Sequence, residues 1–112
     1  MLEDAHRAMT ETAVAGDPFA FGEANARFHG LIMEASGNGT LLDIWRRLDV
    51  RSRATVNIIR MGRDLKAIAQ SHLPILRAIA SGRPEAARRA ARAHILGYRP
   101  KVTPAERRDD TP

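Results

Sequence analysis

The stretch AGDPFAFGEANARFHGLIMEASGNG, residues 15–39, decides the fold class, because it spells out a whole helix together with both of its ends. Asp17 offers an N-cap carboxylate. Pro18 follows at the first helical position, where a missing N–H is harmless and the fixed φ suits the helix. The helix then runs to about Ser36, and Gly37-Asn38-Gly39 stops it, since glycine and asparagine accept the left-handed backbone that ends a helix.

The same grammar repeats outward. A first helix spans Leu2 to Ala15 and stops at Gly16. On the other side Thr40 is placed to cap a third helix from Leu41 to Met61, ended by Gly62, with an apolar stripe of Leu41, Trp45, Leu48, Val56 and Ile59. Asp64 caps a fourth helix to about Ala80, with the stripe Leu65, Ile68, Leu73, Ile75, Leu76 and Ile79. Pro74 lies inside it and should kink it or delay its start. Pro84 opens a fifth helix that runs to about Leu96. Strand alternation and hairpin dipeptides between apolar runs are nearly absent. The reading is an all-α antiparallel helical bundle over residues 1–97, followed by a flexible basic, proline-rich tail over residues 98–112, where Pro100, Pro104, Pro112 and the charges between them cannot pack a core.

Composition narrows the chemistry. With 112 residues the chain holds one domain, and with 44% hydrophobic but only 4% aromatic residues its core must come from Ala, Leu, Ile and Val. Cysteine is absent, so disulfides and thiolate chemistry are excluded, in keeping with a cytoplasmic protein. No run of about 18 apolar residues exists to cross a membrane. Met1-Leu2-Glu3-Asp4 opens the chain without the apolar core of a signal peptide. The net charge of +5 is concentrated in Arg83, Arg88, Arg89, Arg92, Arg99, Lys101, Arg107 and Arg108, which read as a solvated helix face and a basic end. Such charge gives salt-sensitive attraction to nucleic acid but no groove-reading element, so sequence-specific DNA binding by this chain alone is not expected.

Four histidines stand out. His29, His72 and His94 fall on separate helices, each on or beside an apolar stripe, and Asn25 lies one helical turn before His29 on the same face. Singly, each reads as a satisfied core histidine. Three on inward faces suit a divalent transition metal, because imidazole favours zinc, nickel and copper and a bundle can gather ligands from facing helices. No HExxH, CxxC or EF-hand pattern supports this locally. His6 reads as a surface residue, and Phe21, Phe28 and Trp45 as core. On the third helix Arg51, Ser52 and Thr55 offer a guanidinium and two hydroxyls to a carboxylate ligand. Their plainer reading is hydroxyls bonded back to the helix and a solvated arginine.

The segments Asn25-Ala26-Arg27-Phe28-His29, Glu34-Ala35-Ser36-Gly37-Asn38 with Leu41-Leu42, and Ser71-His72-Leu73-Pro74-Ile75-Leu76-Arg77-Ala78-Ile79 followed by Gly82, Ala86-Ala87 and His94 carry a likeness in both order and spacing. They resemble the FCD effector domain of FadR-subfamily GntR-type transcription regulators, from about Asp17 to Leu96. The resemblance implies a non-enzymatic, dimeric sensor in which His29, His72 and His94, with Asn25, hold a divalent metal such as zinc or nickel, and the metal helps to hold a small carboxylate effector. Asn25 stands where the family most often has Asp, so the site keeps one fewer negative charge. The resemblance also implies a bundle without its first helix, and DNA contact only through a winged-helix domain that this sequence does not contain. Two other readings remain: a small basic helical module for dimerisation or nucleic-acid binding, and a metal-dependent hydrolase. Three histidines with an open position also describe catalytic zinc, although neither Glu23 nor Glu34 shares the face of His29 well enough to act as a base.

Overall fold

The computed structural model describes residues 1–62 and 64–97, apart from the side chains of Val50, Arg51 and Met61, so the expected tail over 98–112 and the Arg51 guanidinium lie outside the described residues. All the regular structure in this range is helical: α1 Leu2–Ala15, α2 Pro18–Ala35, α3 Gly39–Arg47, α4 Val50–Met61, α5 Leu65–Gln70, α6 Leu73–Ala80 and α7 Pro84–Gly97. None of these helices is long and apolar enough to cross a membrane.

Helices α1 and α2 form a hairpin whose corner obeys the sequence. Gly16 takes a left-handed φ of 72°, and the N–H groups of Gly16 and Asp17 return to the carbonyls of Ala13 and Thr12. Asp17 then accepts from the N–H of Phe19 and of Ala20, at 3.1 and 3.2 Å. From α1 the small face Ala5, Met9 and Ala13 is buried, and from α2 Phe21, Ala24 and Phe28. Helix α2 is the hub, packed against α1, α3, α4 and α5, while α7 lies on α6. The core is completed by Ile58 of α4, Ile68 and Ala69 of α5, and Ile75 of α6. Its few large members, Phe21, Phe28 and Met9, are fully buried, and so is His72.

Several expectations are corrected. The third helix is broken in two at Leu48-Asp49, where Asp49 adopts a left-handed φ of 49°. No glycine or proline marks this point, although aspartate is among the residues that tolerate that region. The cap is Asn38, whose side chain accepts from the Leu41 N–H at 3.0 Å, and not Thr40. The expected stripe is also one residue out of phase on α4. Thr55 and Ile58 are buried, whereas Val56 and Ile59 are about half exposed, at 51% and 48%. The reason is the contact surface of α2: Gly22 is buried there, and Thr55 fits directly over it. The fourth helix is likewise two helices, α5 and α6, which meet in an elbow at Ser71-His72. Asp64 caps α5 as expected, and Pro74 sits in the first turn of α6, so proline delays the second helix.

Candidate metal centre

The elbow between α5 and α6 is the element that builds the site. His72 occupies the N-cap position of α6 without capping it and turns its ring into the interior, leaving 1% of its surface exposed. His29 approaches from the middle of α2 and His94 from the last turn of α7. Each of these three residues offers one ring nitrogen, and the three atoms lie within 4.8 Å of one another. The Nε2 atoms of His29 and His72 are 3.1 Å apart. Around an ion with bonds of about 2.0–2.1 Å, neighbouring ligand nitrogens stand roughly 3.0–3.4 Å apart. The His29–His72 pair already has that spacing, and a modest inward movement of His94 would complete a trio.

The surroundings favour donation. His72 Nδ1 donates to the Ile68 carbonyl at 2.8 Å, which leaves the Nε2 lone pair facing His29. The Ser71 hydroxyl donates to the same carbonyl and lies 3.5 Å from His94 Nδ1. The edge of Phe28 supports both neighbours, with its ring centre 5.1 Å from that of His72 and 5.7 Å from that of His29. The half-buried indole of Trp45, 5.9 Å away, covers His29 from α3. The break at Asp49 frees α3 to bring Trp45 here while α4 packs its own face on Gly22.

Electrostatics keep the trio neutral. Burial pushes His29 down to about 4, helped by the nearby His94. Burial pushes His72 down to about 3, with His94 and His29 adding to the effect and the Ile68 carbonyl opposing it. His94 is lowered by burial, against the pull of the Ser71 backbone carbonyl. Neutral imidazole is the form that binds a metal.

The metal-free chain therefore loses stability in acid. Below pH 6.5 the unfolded state takes up protons that buried His29 and His72 refuse, so stability is full above about 6.5 and falls as the pH drops. The expected loss is about 2 kcal/mol per histidine by roughly pH 5. Urea melts of metal-free protein between about pH 7.5 and 5 check this, and a flat profile would contradict it.

The other sequence candidates lie as follows. Asn25 is buried on α2, one turn before His29. Thr55 is buried against Gly22, which precedes His29 by about 10 Å of helix. Ser52 is exposed and, with Thr55, Phe19, Glu23 and Val56, lines a separate groove of 380 Å³. The structure thus gathers the three histidines and sets the hydroxyls of Ser52 and Thr55 along a different part of α2. Sequence reasoning passed over Ser71 and Trp45. Ser71 carried a signal, since it directly precedes His72, whereas Trp45 carried only that of a core residue.

Comparison with known proteins agrees with this architecture. The model of the FCD domain family matches residues 1–97. Over 93 residues the chain is 33% identical to a protein of Paenarthrobacter nicotinovorans named "Probable D-xylose utilization operon transcriptional repressor". That match covers 83% of this chain and 41% of the relative, so the chain spans about two fifths of the length of the protein it resembles. No solved structure matches. The chain belongs to the FCD domain family, the family of its resemblance to GntR-type transcription regulators.

Proposed function

We propose that this chain is the ligand-sensing part of a bacterial transcription regulator, cytoplasmic and dimeric, in which His29, His72 and His94 hold a divalent transition metal and the metal binds a small carboxylate effector. The observation that carries the reading is the convergence of three neutral ring nitrogens, from α2, α7 and the α5–α6 elbow, within 4.8 Å. Three imidazoles with no carboxylate among them suit zinc or nickel better than magnesium or calcium, which favour oxygen. They also leave the ion its full positive charge, so an anion is the natural occupant of the remaining positions. DNA contact belongs to a winged-helix part of the regulator, with the effector altering how two copies present it.

The test uses metal and anion separately. Zinc-loaded protein is expected to bind small carboxylates in calorimetric titration, and metal-free protein is not. Equal binding with and without zinc would contradict a metal-held effector. Asn25→Asp adds an anionic oxygen one turn from His29 and is expected to tighten zinc binding by roughly tenfold while weakening carboxylate binding, since part of the ion's charge is then neutralised. Unchanged zinc affinity in this variant would remove residue 25 from the site.

A further inference from the structure

His6 has no place among the metal ligands, and a histidine on the first helix reads as a surface residue. The structure uses it differently. It is half-buried on α1, and its Nε2–H donates to the carbonyl of Ala69, 63 residues along the chain, at 3.0 Å. That carbonyl also receives the backbone N–H of His72, at 3.2 Å. The preceding carbonyl, of Ile68, receives His72 Nδ1 and the Ser71 hydroxyl. The last turn of α5 therefore holds the backbone and ring of His72 through two adjacent carbonyls, and His6 ties one of them to α1. Behind this frame the His6 ring meets the edge of Phe28 at 6.3 Å, and Phe28 in turn supports His72.

We infer that His6 is a positioning residue for the metal centre: by clamping the Ala69 carbonyl it fixes the elbow from which His72 enters. This rests on the metal reading proposed above. The elbow depends on such a clamp because α5 is only six residues long and α6 only eight. Short helices are weak by themselves and take their placement from tertiary contacts. Helix α1 is a longer, well-packed element, so a bond from its side chain transfers that rigidity to the elbow. A carbonyl three residues before a ligand, bonded to that ligand's own N–H, is well placed to set ligand orientation, and groups that orient ligands in this way commonly influence metal affinity by 10- to 100-fold.

The test compares variants of the whole chain for zinc affinity, by competition with a chromophoric chelator, and for the visible spectrum of the cobalt-loaded protein. His6→Leu keeps the bulk and removes the donor. It is expected to weaken zinc binding roughly tenfold and to alter the cobalt bands. His6→Gln can still donate to Ala69 and is expected to stay within about threefold of the unmodified chain, with its spectrum intact. If His6→Leu does not fold, His6→Asn, polar but too short to reach, carries the same expected loss. Equal zinc affinity in the Leu or Asn variant, or a loss of urea stability with an unchanged cobalt spectrum, overturns the inference and leaves the metal reading standing. Failure of the unmodified chain to bind zinc overturns both.

Discussion

Replacing any one of His29, His72 and His94 by alanine is expected to remove most of the rise in melting temperature that zinc or nickel gives the unmodified chain. A ligand that binds only the folded state stabilises it by about 4 kcal/mol at a thousandfold excess over its dissociation constant. For a domain of this size that is roughly 15 to 30 °C. Removing one of three nitrogen donors takes away most of this affinity. The comparison must be made on the metal-dependent increment, because the variants also differ without metal. His72 is fully buried and bonded to Ile68, so His72→Ala leaves a cavity. His94 is only half-buried, on a helix with no buried residue, so His94→Ala is the cleaner case. A His94→Ala chain whose melting temperature rises with zinc as much as that of the unmodified chain would contradict the proposed site.

The second large effect concerns packing. Gly22→Ala is expected to destabilise the chain by about 2 kcal/mol, although alanine at an exposed mid-helix glycine usually gains about 1 kcal/mol. A Cβ at position 22 would fall far inside van der Waals contact distance of the Thr55 hydroxyl and 3.1 Å from Thr55 Cβ. The overlap reaches the root of a short, branched side chain, so rotation alone does not relieve it and α2 and α4 must part. Thr55→Ala removes the nearer of the two clashing atoms. The double variant Gly22→Ala/Thr55→Ala should therefore recover part of the loss, giving a favourable coupling in a double-mutant cycle. Chemical denaturation of the four proteins measures it, and a stabilised Gly22→Ala chain would contradict the close approach of the two helices.

The success of the sequence reading followed the presence of local signals. Helices α1, α2 and α7 begin or end on Asp17, Pro18, Gly16 and Pro84, whose backbone chemistry acts without reference to the rest of the fold. The break at Asp49 had no such signal, because Arg47-Leu48-Asp49-Val50 is acceptable helix sequence and the turn is imposed by the packing of α3 and α4 on different parts of α2. The phase of α4 failed for a related reason. Apolar spacing points to Val56 and Ile59, but the notch at Gly22 selects Thr55, and Ile58 follows one turn below it. The identities of His29, His72 and His94 could be read from their stripes and from the resemblance. Their shared framework could not, since the Ile68 and Ala69 carbonyls become acceptors only where α5 stops. His6 was misread because its partner is a backbone atom, which no side-chain pattern reveals.

The most direct measurement of the central claim is the metal content of the whole chain after loading with zinc and removal of the excess. One zinc ion per chain is expected, retained against a weak chelator at neutral pH and released as the pH falls and protons compete for the three imidazoles. Protein that emerges free of zinc, or that keeps one ion per chain when His29, His72 and His94 are all replaced by alanine, would contradict the account.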